Sequence, residues 1–341
     1  MKKKSILSPM GRGNGAYVIH RLLEGNIPDY RVVPYHANWT FIPFMLPIVA
    51  KIKQARLLHT VPDYAWFFCR HAVPLILSFQ NYVLDSWMQS YSAWYQKIHY
   101  ATDLKIWTKL ATKKAKMITA VSDFTAELVK KDLQLSGPVK VIYNGVDTDH
   151  FTPNLDKDAN SEVIRVLFSG NLTRRKGAHW LPEIAKFLTH GIQIHYTQGL
   201  RTRGGLPDFP NLKSIGPISF QDMPNRYRQM DILLMPTVRE GLSLAVLEAM
   251  ACGLPVVASN CSSLPEQIDD GKGGFLCPIG DANAFAEKIN LLAQAPDLRR
   301  AMGKYNRSKV EKTFSLEQMI RKYKMLFEEV LTNTGAYQTI K

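Results

Sequence analysis

Two glutamates frame a short apolar helix predicted within 231–259, DILLMPTVREGLSLAVLEAMACGLPVVAS. Glu240 lies in the loop before this helix, and Glu248 lies inside it among apolar residues. Because a carboxylate in such surroundings must reach solvent or find a partner, Glu248 either faces solvent or belongs to a ligand site. In the second case both acids grip a polar ligand whose anionic part lies at the helix start. With a rise of about 1.5 Å per residue, Glu248 lies roughly 6 Å from that start, so the ligand would be elongated.

The elements around these acids can be predicted from the same segment. The apolar run 231–235 ends at Pro236 and is typical of a strand. Ser243 is suited to cap a helix over 244–252. Gly253, followed by Pro255, is the usual end of a helix.

A second chemical motif is the loop 169–177, SGNLTRRKG, which follows a predicted strand. It carries three consecutive cations, Arg174, Arg175 and Lys176. A strand-to-helix turn with glycines and cations suits a diphosphate, although many such runs are only solvated basic loops. The spacing of a Walker loop is not present.

Strands and helices alternate along the chain, which predicts an α/β protein with two doubly wound, parallel-sheet domains of Rossmann type facing a central cleft. The first strand runs into a turn containing Gly13 and Gly15, which resembles a dinucleotide-binding loop in composition but not in spacing. The polar stretch 152–162 reads as a linker. We therefore predict domains over 1–153 and 154–314, with a C-terminal helix and tail over 315–341.

The composition narrows the class of protein. The net charge is +14, and 46% of the residues are hydrophobic. The chain has no apolar run long enough to span a membrane, and its four scattered cysteines and nine histidines show no metal-binding pattern. These features predict a reduced, cytoplasmic protein without a metal site. No motif of a nucleic-acid-binding fold is present, so we do not expect a nucleic-acid partner.

The N-terminal part is both more basic and richer in tryptophan than the remainder. The segment 39–53 is apolar and aromatic and ends with two lysines, and lysines recur at helical spacing over 105–116. A basic amphipathic surface suits an anionic membrane, whereas the same pattern also describes a core-packed helix with a charged face. The aromatic residues are equally suited to stack on sugar rings of an acceptor. The protein is thus either free in the cytoplasm or peripheral on the inner face of the membrane.

Four motifs in order resemble the retaining glycosyltransferases of family 4, also called group 1, which have the GT-B architecture. They are VIYNGVDTDHF at 141–151, SGNLTRRKG, the two acids as E-x7-E, and LPE at 264–266 followed by GFLCP at 274–278. This resemblance implies two Rossmann-like domains, with a C-terminal helix that crosses back to the N-terminal domain.

The resemblance also implies roles for individual residues. Glu240 would hold hydroxyls of the donor sugar, Glu248 would hold the ribose, and Arg175 and Lys176 would neutralise the leaving diphosphate. Further donor-binding residues would be Gly13, Gly15, Ile218, Gly241, and Leu242 and Ser243 through their amides. No metal or other cofactor is implied, and no enzymic nucleophile.

The chain departs from the family pattern at two positions. Many members have Arg after the glycine of the phosphate loop, where this chain has Asn171, so we assign that role to Arg175 with Arg174 as the alternative. Many members have His after the strand PLILSF, where this chain has Gln80, which cannot act as a base. His59 is either a substitute on the acceptor side or a histidine satisfied within the fold.

We therefore predict a retaining transfer of sugar from a nucleoside-diphosphate sugar to a glycan or lipid-linked glycan. A sugar-nucleotide epimerase or a glycoside phosphorylase on the same architecture is one alternative. A catalytically weak nucleotide-sugar-binding protein is another, because of Gln80. The base, the sugar, the acceptor and the oligomeric state are left open by the sequence.

Overall fold

The structure is a computed structural model that describes residues 5–52, 54–91, 99–154, 162–199, 202 and 204–333. Packing divides the chain into two compact units, each with its own parallel sheet. The first unit consists of Met1–Tyr143 and Gln318–Lys341, and the second of Asn144–Glu317. The expected α/β class with two Rossmann-like units is confirmed.

Among its described residues, the first unit has six strands and the helices that cover them. The strands are β1 (Ser5–Gly11), β2 (Tyr30–Tyr35), β3 (Ala55–Thr60), β4 (Leu75–Phe79), β5 (Met117–Ala120) and β6 (Val139–Val141). The α-helices are α1 (Gly15–Asn26), α2 (Leu46–Val49), α3 (Ser86–Gln89), α4 (Lys105–Lys114) and α5 (Asp123–Leu133), and most of α12 (Leu316–Asn333) belongs to this unit. Short 3-10 helices cover Ala37–Phe41, Pro43–Met45 and Ala65–Phe68, and a π-helical turn covers Tyr100–Leu104.

The first sheet has the strand order β2-β1-β3-β4-β5-β6, and all its pairs are parallel. The order reverses between β1 and β3, so the loops that follow these two strands border a crevice at the carboxyl edge of the sheet. Every residue of β4 is buried, as the apolar run PLILSF predicts.

A buried chain of hydrogen bonds connects the first sheet to the last helix. His59 on β3 lies 2.7 Å from the Tyr30 hydroxyl through Nδ1 and 2.7 Å from the Ser78 hydroxyl through Nε2. The Tyr323 hydroxyl of α12 lies 3.3 Å from Ser78 Oγ. His20 of α1 stacks on His59 with ring centroids 4.5 Å apart. The helix α12 therefore packs into the core of the first unit, as expected for a C-terminal helix that crosses back.

The second unit repeats this plan. Its strands are β7 (Ile164–Phe168), β8 (Ile192–Tyr196), β9 (Leu212–Ser214), β10 (Ile232–Met235), β11 (Val256–Ser259) and β12 (Gly274–Cys277). Its helices are α6 (Leu181–Lys186), α7 (Met223–Arg228), α8 (Leu244–Ala251), α9 (Leu264–Gln267), α10 (Ala282–Gln294) and α11 (Pro296–Thr313), with a 3-10 turn over Ala178–Trp180. The parallel strand order is β12-β11-β10-β7-β8-β9, the doubly wound order of a Rossmann unit.

The boundaries between the units differ from those the sequence predicts. Packing separates Tyr143 from Asn144, ten residues before the predicted division at 153/154. Val146 forms a bridge with Ser315, and a Cβ on Gly145 would lie 2.5 Å from the Ser315 carbonyl oxygen. The stretch 144–151 therefore belongs to the second unit. Most of the predicted linker falls on 155–161, which lie outside the described residues.

Several predicted elements differ in length or facing. The sequence after SGNLTRRKG predicts a helix over about 178–189, whereas the structure has a 3-10 turn followed by α6, which ends at Lys186. The short strand β9 was not predicted. The spacing of Val18, Ile19, Leu22 and Leu23 predicts one apolar face for α1, but Val18 is exposed and His20 is buried in the core instead.

Candidate functional site

The candidate site lies in the second unit at the point where the strand order reverses. Strands β7 and β10 are neighbours in the sheet, with Ile232 opposite Val166 and Leu233 opposite Leu167. The loop after β7 is SGNLTRRKG, and the loop after β10 carries Glu240. Because adjacent parallel strands end at the same edge, the topology brings both loops together at the crevice where ligands of this fold bind.

The two loops meet in a cluster of charges. Nζ of Lys176 lies 2.8 Å from Oε1 of Glu240, and Nη1 of Arg175 lies 3.6 Å from the same oxygen. The Thr237 hydroxyl also approaches Oε1, at 2.8 Å. Three predicted residues therefore come together, with Glu240 itself buried. Arg174, the alternative to Arg175, is exposed.

Backbone contacts fix the loop of cations against the end of β10. The Val238 amide donates to the Arg175 carbonyl at 2.9 Å, and the Arg175 guanidinium donates to the Arg239 carbonyl at 2.9 Å. Gly177 has φ of +74°, and a Cβ there would lie 1.9 Å from the Pro236 carbonyl oxygen. Only glycine therefore allows this close approach between the two loops.

The electrostatics of the cluster keep Glu240 ionised. Burial alone would raise the pKa of Glu240, but Lys176 and Arg175 lower it further than burial raises it, and the net pKa lies below the ordinary value. The Glu240 carboxylate is thus ionised near neutral pH. The site holds a preformed positive group beside a fixed negative one.

Helix α8 starts at the same place, and Ser243 is its N-cap residue. The expected capping bond is not formed: the Ser243 hydroxyl is buried and has no hydrogen-bond partner among the described residues. The Ser243 amide, which we expected to bind phosphate or sugar, donates instead to Oε1 of Gln267 at 3.0 Å. Nε2 of Gln267 in turn donates to the Ser243 carbonyl at 2.9 Å.

Gln267 was not predicted as part of the site. It is fully buried on α9, directly after the LPE motif, and its amide group fixes the entry into α8. Ser262 and Ser263 support the same loop, because the Glu240 amide donates to Ser262 Oγ at 2.9 Å and Ser263 Oγ donates to the Glu240 carbonyl at 3.3 Å.

Glu248 lies one turn into α8, and its carboxylate has a partner. The Tyr227 hydroxyl of α7 donates to Oε2 of Glu248 at 2.9 Å. Burial raises the pKa of Glu248 to about 7, and the Tyr227 hydrogen bond opposes this rise. Its side chain is only partly accessible rather than fully solvated. Of the two alternatives for Glu248, the structure favours an acid in a low-dielectric site over one on a solvent-facing helix side.

The remaining predicted donor residues of the second unit lie in loops. Asn171 follows Gly170 at the end of β7, and a Cβ on Gly199 would lie 2.3 Å from its Oδ1. Gly241 and Leu242 are buried between Glu240 and the helix start. Ile218 is partly buried in the loop after β9. The roles of these residues stay predictions.

The predicted residues of the first unit lie at the carboxyl edge of its sheet, with one exception. Gly13 (φ +84°) and Gly15 flank Asn14, whose side chain caps α1. Gln80 directly follows β4. For His59 the structure favours the second of the two alternatives over an acceptor-side group: it is fully buried, both ring nitrogens have partners, and burial holds its pKa well below the ordinary value. It is a histidine satisfied within the fold.

Metal-ligand clusters and membrane-spanning helices are both absent from the described residues. Across the described ranges, no three His, Cys, Asp or Glu side chains are grouped so as to hold a metal ion. In the same part of the chain, no helix combines the length and the apolar character needed to cross a membrane.

Comparison with known proteins identifies the family. A model described as "Glycosyltransferase Family 4" matches residues 5–150, and one described as "Glycosyl transferases group 1" matches 164–295. The chain is 30% identical over 221 residues to D-inositol 3-phosphate glycosyltransferase of Corynebacterium jeikeium, covering 56% of this chain and 52% of that protein. It is 26% identical over 236 residues to the capsular polysaccharide biosynthesis glycosyltransferase CapM of Staphylococcus aureus, covering 62% and 61%. The match thus spans between half and two thirds of the length of these relatives.

The fold agrees with this assignment. The crystal structure of Anabaena HepE in complex with UDP and glucose superposes with a TM-score of 0.76 at 18% identity, over 96% of this chain and 100% of that one. At that identity the likeness concerns the fold, which is GT-B. The two family matches together cover most of the chain, one in each unit, and the chain belongs to family 4 of the glycosyltransferases.

Proposed function

We propose that this protein transfers a sugar, with retention of configuration, from a nucleoside-diphosphate sugar to a glycan or lipid-linked glycan. The observation that carries the proposal is the contact of Lys176 and Arg175 with Glu240 at the reversal point of the second sheet. It joins a cationic loop, a buried acid and a helix start within one crevice. UDP and glucose are bound by HepE, which supports a donor of this class here.

The chemistry of the transfer follows from these charges. When the bond between the anomeric carbon and the diphosphate breaks, negative charge accumulates on the departing phosphate. Lys176 and Arg175 are already in place to stabilise that charge, and groups that need no reorganisation are the most effective. The Ser243 hydroxyl, which has no partner among the described residues, would donate a further hydrogen bond to a phosphate oxygen at the start of α8.

Glu240 and Glu248 would hold two other parts of the donor. The contacts from Lys176, Arg175 and Thr237 all fall on Oε1 of Glu240, so we assign Oε2 to the sugar hydroxyls. Glu248, fixed by Tyr227, would accept hydrogen bonds from the ribose hydroxyls. The donor would then extend along the first turns of α8.

We assign no nucleophile from the protein. In the proposed step the acceptor oxygen bonds to the anomeric carbon as the bond to the diphosphate breaks, and the leaving phosphate takes the acceptor proton. Both events occur on the same face of the sugar, so the configuration is retained. Because Arg175 and Lys176 supply the positive charge, the proposal requires no metal or other cofactor.

The acceptor class is supported by the relative and by the surface of the first unit. CapM is named for capsular polysaccharide biosynthesis, and a glycan acceptor here would be similar. Exposed aromatic and aliphatic side chains in the first unit suit either sugar rings or a lipid carrier.

The first experiment identifies the donor. A panel of nucleotide sugars is tested by thermal shift, because a ligand that binds only the folded state raises the melting temperature. The donor identified is then incubated with glycan and lipid-linked acceptors, and free nucleoside diphosphate and the anomeric configuration of the product are measured. We expect nucleoside diphosphate to appear when the acceptor is added, with retained configuration.

Variants then test the assignment of the site. Lys176→Ala should lower turnover by about 10²–10³-fold, the usual effect of removing one preorganised group that stabilises transition-state charge. Lys304→Ala, at an exposed position of α11, is the matched control and should behave as the wild type. Unchanged turnover in Lys176→Ala would contradict the mechanism. Donor binding without any turnover would favour the nucleotide-sugar-binding alternative that Gln80 suggests.

A further inference from the structure

A contiguous apolar surface lies on the first unit, outside the candidate site. We call 37–48 the apolar ridge: it comprises two 3-10 helices and the start of α2. Within the fully described stretch 37–45 no residue is buried, although most are apolar. Phe41 is 82% exposed, Phe44 68% and Ile48 64%. Single exposed apolar side chains are common, but a run of this kind marks a surface that binds something.

The apolar ridge is held in place from beneath. Leu46 is fully buried and anchors it to the core. The ring of Phe44 packs edge-on against Phe67, with centroids 5.2 Å apart, and lies 6.4 Å from the Trp107 ring of α4. Phe67 and Trp107 are themselves in contact. The exposed side chains therefore project from a packed aromatic base.

The apolar ridge and α4 contain no acidic residue of their own. No Asp or Glu occurs from Tyr30 to Pro62, and none occurs from Leu104 to Ser122. The neighbouring helix α4 and the turn after it carry the exposed lysines 109, 113, 114 and 116, and Ile106 is 55% exposed on the same helix. Asp103, in the turn before α4, is ion-paired with His99 at 2.9 Å. An apolar ridge beside a helix whose charged residues are all lysines matches a partner that is apolar inside and anionic at its surface.

A concave basic surface adjoins the same helix. It encloses about 640 Å³ and is lined by Lys109, Lys113 and Lys116 together with the loop Leu133–Pro138, without an acidic side chain in its lining. At about 100° per residue, Trp107 and Lys109 point to opposite flanks of α4, toward the aromatic base and toward this concavity. The helix thus has apolar contact on one flank and a cationic recess on the other.

We propose that the apolar ridge and α4 dock the protein onto a membrane containing anionic lipid. Phe41 and Ile48 enter the boundary between headgroups and acyl chains, and the lysines of α4 contact the phosphates. The charge complementarity selects this partner over a second copy of the chain, whose equivalent surface would bring lysines against lysines. Docking would hold a lipid-linked acceptor near the enzyme, but it requires no donor and no turnover.

The test uses the full chain and two kinds of vesicle, one of phosphatidylcholine alone and one of phosphatidylcholine and phosphatidylglycerol in equal amounts. We expect co-sedimentation with the mixed vesicles, weakened by high salt, and little with phosphatidylcholine alone. Salt should weaken binding because the screening length falls from about 10 Å at 0.1 M to about 3 Å at 1 M. Equal binding to both vesicles, or none to either, would overturn the proposal.

Paired variants locate the surface. Phe41→Ser with Ile48→Ser should lower partitioning about tenfold or more, because two large apolar side chains lose their burial in lipid. Phe187→Ser with Leu291→Ser removes similarly exposed side chains from the second unit and serves as the control. Partitioning that falls equally in both pairs would contradict the assignment.

The lysines are tested in the same way. Lys109→Ala with Lys113→Ala should weaken binding to the mixed vesicles by about fivefold per residue and reduce its dependence on salt. Lys304→Ala with Lys312→Ala on α11 removes the same charge elsewhere. Light scattering without vesicles tests the competing explanation, that a second copy of the chain covers the apolar ridge. That explanation would hold if the wild type does not bind vesicles and forms a dimer that dissociates in Phe41→Ser with Ile48→Ser. Because no nucleotide sugar is present, these outcomes are independent of the proposed transfer.

Discussion

At the residue scale, the buried carboxylate of Glu240 is held by two cations that the proposed reaction also needs. Glu240→Gln preserves the size of the side chain but leaves Lys176 and Arg175 without their anion. We expect turnover to fall about 10²-fold or more, because the cations lose their fixed position and the sugar loses a charged acceptor. The measurement is the initial rate of nucleoside diphosphate release at saturating acceptor.

The control for this change is an exposed ion pair. Glu183 pairs with Lys186 at 2.8 Å on the surface of α6, and Glu183→Gln should leave both turnover and melting temperature close to wild type. A Glu240→Gln variant that turns over at the wild-type rate would remove Glu240 from the reaction.

The raised pKa of Glu248 leads us to expect that donor binding depends on pH. Burial places the pKa of Glu248 at about 7 in the unliganded protein, and ribose hydroxyls bind best to the ionised carboxylate. Below about pH 7 the proton must be released on binding, so donor affinity should fall by up to about tenfold per pH unit. Above that pH this dependence should disappear. Calorimetric titration of the donor over this range is the measurement.

Tyr227→Phe tests whether the hydrogen bond to Glu248 sets that midpoint. The bond stabilises the ionised carboxylate, so its loss should move the midpoint of donor affinity upward in pH. Tyr305→Phe removes a tyrosine–carboxylate bond to Asp269 elsewhere in the second unit and is the control. A midpoint that stays in place would mean that the Tyr227 hydrogen bond does not set it.

Some of these residues can be predicted from the sequence and others cannot. Arg175, Lys176 and Glu240 follow two strands that a Rossmann order places side by side, so motif and topology are enough to bring them together. Gln267 and Tyr227 act through contacts with residues 24 and 21 positions away, which depend on how α9 and α7 pack. His59 is a residue that the sequence singles out but cannot assign, because a histidine in a ligand site at a strand end and one buried in the core look the same in the sequence.

At the element scale, the approach of the phosphate loop to β10 depends on Gly177. Gly177→Ala would combine an unfavourable φ with a Cβ 1.9 Å from the Pro236 carbonyl. We expect a loss of about 3 kcal/mol or more in the free energy of unfolding, measured by denaturant titration. Turnover should fall as well, because Arg175 and Lys176 lose their support.

Gly271 provides the comparison for that variant. Its φ is +76°, but a Cβ there would meet nothing within 4 Å. Gly271→Ala should therefore lower the free energy of unfolding by only about 1–2 kcal/mol, the cost of a positive φ for alanine. Equal losses in the two variants would mean that backbone conformation, not the contact between loops, requires glycine at 177.

The observed bounds of helices agree with those predicted from sequence where apolar periodicity is strong. They agree less well where tertiary contacts determine where a helix ends. The sequence predicts a helix over 123–133, and α5 has these bounds. The helix expected to reach 189 stops at Lys186, because Asn290 of α10 accepts from the Thr189 amide at 3.0 Å and donates to the Phe187 carbonyl at 3.0 Å. A side chain about a hundred residues away ends this helix, so the end of the helix cannot be predicted from the neighbouring sequence.

At the scale of the whole molecule, the buried histidines make the stability dependent on pH. Burial lowers the pKa of His20 to about 3 and holds that of His59 well below the ordinary value. Both stay neutral in the folded protein, whereas the unfolded chain takes up protons below about pH 6.5. The stability they contribute is therefore complete above that pH and is lost as the pH falls, by about 1.4 kcal/mol per pH unit for each histidine. Thermal unfolding of the full chain between about pH 7 and pH 5 measures this decline.

Substitution of one histidine separates this effect from general acid destabilisation. His20→Gln should lower the melting temperature near pH 7, because the Ser8 contact changes, yet reduce the slope of stability against pH. His36→Gln changes an exposed histidine in the same unit and should keep the wild-type slope. An unchanged slope in His20→Gln would show that other groups cause the decline.

The contact between Tyr323 and Ser78 has a consequence for synthesis of the chain. The first unit is discontinuous in sequence, so its core lacks Tyr323 and Phe327 until the last helix has left the ribosome. The second unit is continuous and can complete its core earlier. The first unit is therefore synthesised first but completes its folded core last. Until then the polar network around His59 is accessible to water. A chain stalled after Glu317 should accordingly be cleaved by protease within its first unit while its second unit resists.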